Sequence, residues 1–336
     1  MNLPAGAWWA WLVAPASALA TRAAIAYARR RRMLDQPGPR RAHQQATPRG
    51  GGIAPVALIV LAGGALALAR VPVEPGLLAC VAALAAVAGI GWVDDHRPLP
   101  ATPRLVVHVL AAAVAWLALV GVPGTLAGFA LAALGVLVVA GMTNAWNFMD
   151  GIDGLASSQA MWVLALPLLA GWLGGDWQLW CLLALAALAG FLPFNAPRAR
   201  IFLGDVGSGA LGFLVAIVLL QAVVKGHLDW PLALLPVSAF VIDAGLTLAT
   251  RMLRGRRWWR PHREHLYQWL VRRRHRHAVV AGAYTAWTVL ASAMAVLANA
   301  QADAVRWAVT FAVLSSGVLA WFGLRRWLWI AQRARR

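Results

Sequence analysis

A chain of 336 residues with 61% hydrophobic and only 12% charged side chains has too little polar surface to cover a water-soluble globule. Mean hydropathy is +0.67, and the apolar residues fall in blocks near the ~20 residues a helix needs to cross a bilayer. Disorder, a collagen-like fibre and a disulfide-stapled secreted domain are excluded, leaving a polytopic, all-α membrane protein. The net charge of +18 would suggest nucleic acid in a soluble chain. Here 29 of the 30 basic residues are Arg gathered in a few loops, which fits membrane orientation and implies no nucleic-acid partner.

Eleven apolar segments follow in chain order, at about 4–28, 51–69, 76–93, 105–121, 124–143, 156–173, 177–194, 207–224, 230–250, 278–298 and 305–323. The first has no Lys or Arg before it and Arg29 to Arg32 after it, unlike a cleaved signal peptide. Alternation places 26 Arg in one set of loops and three basic residues (Arg70, Lys225 and Arg306) in the other. The Arg-rich set is therefore read as cytoplasmic, with the N-terminus outside and the C-terminus inside. Trp residues near segment ends are read as interfacial anchors, and Cys80 and Cys181, within apolar blocks, as small core residues. No internal repeat is evident, and the whole chain reads as one transmembrane domain. Its motifs fall within about 25–275, with two more spans and a basic tail in 278–336.

Seven of the twelve acidic residues fall in the Arg-rich set: Asp35, Asp94, Asp95, Asp150, Asp153, Asp205 and Glu264. Carboxylates clustered on a basic face suit phosphate together with a divalent cation. Asp94-Asp95 ends the third segment. Asn144, Asn147, Asp150 and Asp153 recur every third residue, near one face of a helix, with Gly151 and Gly154 loosening the backbone. Two carboxamides and two carboxylates without a basic partner are costly at a membrane boundary unless they bind something. Gly204-Asp205-Val206-Gly207-Ser208 opens the eighth segment, where amide N–H groups face an anion and Asp205 can hold a metal. Asp243 lies within the ninth segment, as a functional group or as an internal hydrogen-bond acceptor.

Two basic loops complete the pattern. In the first, Arg40, Arg41, His43 and Arg49 are candidates for phosphate contact, while the Arg29 to Arg32 run reads as topology signal. The second carries His262-Arg263-Glu264-His265, whose His-x-x-His spacing without Cys suits phosphate better than zinc. Arg272-Arg273-Arg274 beyond it reads as solvated surface.

Together these stretches resemble the polyprenyl-phosphate N-acetylhexosamine-1-phosphate transferases. Asp35…Pro37…Arg41…His43…Thr47-Pro48-Arg49-Gly50-Gly51, Asp94-Asp95, Asn144…Asn147…Asp150-Gly151…Asp153-Gly154 and Gly204-Asp205…Gly207-Ser208 stand in that family's order. The resemblance implies transfer of an N-acetylhexosamine 1-phosphate from a UDP-sugar to undecaprenyl phosphate at the cytoplasmic face of a bacterial inner membrane, with release of UMP. It implies Mg²⁺ (or Mn²⁺) on Asp205 and Asp94, and catalytic roles for Asp94, Asp95, Asp150, His262 and His265. Substrate contacts are implied for His43, Arg49, Asn144, Asn147, Asp153, Asn195, Phe202 and Arg263, and a homodimer is compatible with it. The stretch His-Arg-Glu-His-Leu-Tyr-Gln at 262–268 looks more like O-antigen-initiating members than like the lipid I enzyme, and Arg104 and His108 replace the usual Lys and Gln. A phospho-MurNAc-pentapeptide transferase and, outside the enzymes, an ion-coupled carrier are the competing readings.

Overall fold

The computed structural model describes residues 6–36, 46–69, 74–256, 262–273 and 275–333. After a short 3-10 turn, the chain forms α1 (Ala10–Arg30), a two-residue antiparallel pair β1 (Leu34–Asp35) and β2 (Thr47–Pro48), then α2 (Ile53–Leu68), α3 (Pro75–His96), α4 (Ala101–Leu119) and α5 (Leu126–Met149). There follow α6 (Leu155–Leu169), α7 (Gly175–Asn195), α8 (Gly204–Val224), α9 (Ser238–Leu253), the short α10 (Leu266–Arg272), α11 (His277–Asn299) and α12 (Asp303–Arg333). Every expected apolar segment carries a helix. Among the described residues seven are long and apolar enough to cross a membrane: α3, α4, α5, α7, α8, α11 and residues Asp303–Ile330 of α12. The chain is a multi-pass, helical membrane protein. Helices α2 and α6 are apolar but shorter, at 16 and 15 residues. The seven-residue α10 lies in what reads from sequence as a basic loop.

Helix α8 is the centre of the bundle. From Val206 to Leu219 every residue is buried, as expected of a helix apolar on all sides, and α2, α3, α4, α5 and α6 sheathe it. Membrane helices gain little from water exclusion against one another, so close contact and hydrogen bonds hold them. Gly52 meets Gly207 backbone to backbone, and Gly91 of α3 meets the backbone of Asp205, so any Cβ at these glycines would collide. Outward faces of α4 and α5 expose Leu105, Leu110, Phe129, Leu134 and Leu137, a surface for lipid tails.

Cys80 and Cys181 are buried free thiols, as expected of core residues. The Trp reading needs correction. Trp8, Trp11 and Trp230 are exposed, but Trp146 and Trp180 are wholly buried. Their indoles bridge helices, Trp146 Nε1 donating to Ala156 O at 3.2 Å and Trp180 Nε1 to Ile59 O at 2.8 Å. An indole N–H that finds a backbone carbonyl is as well placed inside a bundle as at a headgroup.

Helix ends meet in two groups. At one end Glu74 accepts from Trp177 Nε1, and Arg306 pairs with Asp229 at 2.9 Å. At the other, the end of α3, the end of α5, the start of α8 and the segment around α10 surround one cavity.

Candidate active site

The cavity has a volume of about 400 Å³. Its acidic lining is Asp35, Asp95, Asp150 and Asp205, and its basic lining is Arg49, Arg263 and Arg272. Asn147, Ser208, Gln268 and Phe202 complete the side chains that the argument needs.

Neighbouring residues on a helix point about 100° apart, and this separates Asp94 from Asp95. Asp95, only 3% exposed, accepts the backbone N–H of Asp205 (3.1 Å) on Oδ1 and that of Val206 (3.1 Å) on Oδ2. It thus caps α8 from a different helix, where the helix dipole also favours a negative charge. Gly204 makes this possible. Its φ of +71° is a left-handed conformation, and a Cβ there would run into the Asp95 carboxylate. Arg49 Nη2 donates to Asp95 O at 2.8 Å, which ties the first basic loop to the same corner.

Asp94 turns the other way. Its Oδ1 accepts Leu99 N–H (2.5 Å), and its Oδ2 accepts Arg104 Nη1 at 2.8 Å. The same Nη1 donates to Asp205 Oδ2 at 2.9 Å, so one guanidinium nitrogen bridges two carboxylates. Asn147 Nδ2 donates to Asp205 Oδ1 (2.7 Å) and to Ser208 Oγ (3.2 Å). Asp205 is therefore aimed from both sides.

Asp150 follows the last residue of α5 and is the C-cap of that helix. Burial, reinforced by the Asp205 and Asp95 carboxylates, pushes it up to about 8. A cation bound beside this carboxyl would offset part of that penalty and favour its ionised form. Among the described residues no three His, Cys or acidic side chains form a ready metal cage. Asp205 and Asp150 offer oxygen donors with room beside them, and Mg²⁺ is commonly held by one or two carboxylates plus substrate phosphate oxygens. The donor set fits such an ion; Asp94, the other ligand the resemblance implied, has Oδ1 on Leu99 N–H and Oδ2 on Arg104.

The structure brings together Asp95, Asp150, Asp205, Asn147, Arg49, Arg263 and Phe202 in the cavity wall, with Asp94 behind it through Arg104. Other expected site residues stand elsewhere. Asn144 donates to Ala140 O (2.8 Å) within its own helix. Asp153 lies 3.2 Å from His277 Nδ1 and joins the turn after α5 to the start of α11. Asn195, 2% exposed, accepts from Ser157 Oγ (2.7 Å) and donates to Ile201 O (3.1 Å), pinning α6 to the loop before α8. His262 and His265 pack ring to ring at 4.9 Å, and His265 stacks on Phe148. Burial, then the charges of His265 and Arg251, pushes His262 down to about 4, and burial likewise lowers His265, which favours the neutral ring in both. Arg40, Arg41 and His43 lie outside the described residues.

Asp35, one of the acidic residues read in the Arg-rich set, reaches the cavity because β1 pairs with β2, which no periodicity signals. Sequence reasoning missed Gln268 and Arg272 as lining residues. Both arrive on α10. Arg272, read as solvated surface, is exposed but borders the cavity, a correction that follows from a helix where a loop was expected. Ser208, read as part of the anion-facing start of the eighth segment, lies one turn beyond Asp205 and lines the cavity.

Comparison with known proteins gives the family. Residues 77–223 match the profile of glycosyl transferase family 4. The decaprenyl-phosphate N-acetylglucosaminephosphotransferase of Mycobacterium tuberculosis is 32% identical, over 78% of this chain and 73% of that protein. The chain belongs to the polyprenyl-phosphate N-acetylhexosamine-1-phosphate transferase family. Its relatives divide between two named activities. The phospho-N-acetylmuramoyl-pentapeptide-transferase of Shouchella clausii is 32% identical over 55% of this chain and 64% of that protein. The probable undecaprenyl-phosphate N-acetylglucosaminyl 1-phosphate transferase of Bacillus subtilis is 28% identical over 71% and 69%.

Proposed function

We propose that this protein transfers an N-acetylhexosamine 1-phosphate from a UDP-sugar to undecaprenyl phosphate, at the cytoplasmic face of the bacterial inner membrane, as the first step of an O-antigen or related surface polysaccharide. The observation that carries the reading is the pairing, in one cavity, of Arg49, Arg263 and Arg272 with Asp150 and Asp205. Neither set alone suits a diphosphate; cations neutralise its oxygens, and carboxylates hold a metal against it. The positive-inside pattern supports an eleven-crossing arrangement with the N-terminus outside, which turns this cavity to the cytoplasm, where UDP-sugars are found.

The chemistry is one displacement. An oxygen of the lipid phosphate bonds to the sugar-bearing phosphorus of the donor, the bond from that phosphorus to the UMP oxygen breaks, and its electron pair leaves with UMP. A bound Mg²⁺, held by Asp205 and Asp150, would offset charge on the diphosphate. The remaining work falls to this chain's own side chains. Arg49, Arg263 and Arg272 draw the two anionic substrates together and screen their repulsion. Phe202 offers a flat apolar face for the uracil ring. Asn147 and Arg104 hold Asp205 in one orientation from opposite sides, and Arg104 couples it to Asp94. The lipid phosphate is largely ionised near pH 7, so little proton removal is required of a base.

The His-Arg-Glu-His stretch at 262–265 supports an N-acetylglucosamine-type donor over the muramoyl-pentapeptide. Competition for the purified protein between UDP-N-acetylglucosamine, its 6-deoxy relatives and UDP-MurNAc-pentapeptide tests this directly. Labelled lipid from the simple aminosugar alone is expected. Product from the pentapeptide donor alone would move the protein to peptidoglycan synthesis.

A further inference from the structure

Asp243 is an acid inside α9, only 1% exposed within the helical bundle, and the transfer chemistry has no direct use for it. Such a group is expensive unless every lone pair is engaged. Oδ1 accepts Leu266 N–H (2.8 Å), Trp321 Nε1 (3.0 Å) and Thr247 Oγ1 (3.3 Å). Oδ2 accepts Tyr284 O–H (2.7 Å) and Tyr267 N–H (3.3 Å). Donors thus come from α9, α10, α11 and α12, and two of them are the first amides of α10.

That choice of donors matters because of what α10 carries. Gln268, Val271 and Arg272 of α10, with Arg263 just before it, form one wall of the cavity. A second set of contacts holds the same short helix. Trp321 and Leu328 of α12 bury Leu266, Arg273 donates to Leu328 O, and Arg325 lies over the rings of Trp269 (4.8 Å) and Trp321 (4.5 Å). On the far side Tyr267 O–H donates to Phe148 O (3.0 Å), two residues before Asp150, and Gln268 Nε2 donates to Tyr267 Oη (3.1 Å). A seven-residue helix has no stability of its own. Its position is set by α12 and Asp243 on one side and by the end of α5 on the other.

We propose that Asp243 and Trp321 are positioning residues, through which the C-terminal helix α12 holds α10 at the height where Arg263, Gln268 and Arg272 meet the anionic part of the nucleotide sugar. This rests on the reading of the cavity as a UDP-sugar site. It assigns a part in substrate binding to a helix that lies outside the stretch matched by the family profile.

The test uses the full-length protein in lipid nanodiscs. Trp321→Phe removes only the indole N–H and keeps an apolar ring against Leu266; Asp243→Asn removes the charge and half of the acceptors; Trp327→Phe, an exposed Trp on α12, is the control. Amide hydrogen exchange over 264–270, the dissociation constant of UMP and the melting temperature are measured for each. Trp321→Phe should exchange roughly tenfold faster in that segment, the size expected for losing one hydrogen bond to a charged acceptor. Its UMP affinity should fall about fivefold while its melting temperature stays within about 2 °C of the parent. Asp243→Asn should change in the same direction by more, and the control should not change. Unchanged exchange and UMP affinity in Trp321→Phe would overturn the proposal, and so would equal losses spread over every helix. A parent protein that binds no UMP would refute the functional reading instead, and exchange would then show whether α12 clamps α10 at all.

Discussion

The division of labour between Asp94 and Asp95 gives the sharpest prediction about single residues. Adjacent carboxylates at a membrane boundary invite one shared role, yet Asp95 spends both oxygens on the N–H groups of Asp205 and Val206. Asp95→Asn leaves one carbonyl oxygen and turns an amide NH₂ toward a backbone donor. One bond to a charged acceptor is lost, at about 1.5–3 kcal/mol, and the other becomes neutral, at about 1 kcal/mol more. A total near 3.5 kcal/mol, set against an unfolding entropy of about 2.1 cal/mol/K per residue, lowers the melting temperature by about 5 °C for a chain of 336 residues. Transfer should fall too, because the start of α8 carries Asp205. In Asp94→Asn the neighbouring Arg104 is partly exposed, so the loss of stability should stay at ~1 kcal/mol and the melting shift at ~1.5 °C, with turnover the main casualty. Differential scanning fluorimetry in detergent beside a transfer assay measures both. An Asp95→Asn protein that melts with the parent would refute the capping argument.

Other expectations follow from the same corner of the molecule. Asp205→Asn should abolish transfer while leaving insertion and melting close to the parent, and retained turnover would remove it from the chemistry. Arg104→Lys should keep turnover within about tenfold, because both carboxylate contacts come from the single Nη1, whereas Arg104→Met should lose about a hundredfold or more. Added Mg²⁺ should raise the melting temperature more at pH 8 than at pH 6. Asp150 is pushed up to about 8 by burial and by Asp205 and Asp95, so below that pH a cation has to displace a proton; a pH-independent effect would contradict its part in binding. Burial raises Glu264, but Arg251 and Arg256 outweigh it and hold its carboxyl below the usual range. Its contribution is present above the ordinary carboxylate pKa and lost as pH falls through the lowered one. His262, favoured neutral by burial, adds a loss from about pH 6.5 downward. Amide protection around 262–268, taken relative to the intrinsic exchange rate at each pH, should therefore fall between pH 7 and 4, and a flat profile would contradict both assignments.

What was legible in the sequence was the membrane character, the placement of the helices and the grouping of the acidic motifs. These depend on apolar run length and on residues a few positions apart, which a linear reading captures. The parts that needed three dimensions were pairings between distant elements. Nothing in Asp94-Asp95 tells which carboxylate caps α8, because that depends on how α3 is rotated against a helix more than a hundred residues later. Asp243 reads equally well as a functional group or a hydrogen-bond acceptor until its donors on α10, α11 and α12 are seen. Asn195 stands in a family motif, yet its side chain is consumed by Ser157 and Ile201. Helix α10 was hidden because its segment 251–277 carries ten Arg residues and its stability comes from tertiary contacts rather than from propensity.

The most direct measurement of the central claim is the transfer of radiolabel from UDP-N-acetylglucosamine and its 6-deoxy analogues to undecaprenyl phosphate by the purified, folded protein, with Mg²⁺ and then with EDTA. Labelled lipid and an equal amount of released UMP, both lost on chelation, are the predicted result. A folded, Mg²⁺-supplied protein that forms no labelled lipid from any UDP-N-acetylhexosamine donor, the muramoyl-pentapeptide included, would contradict it.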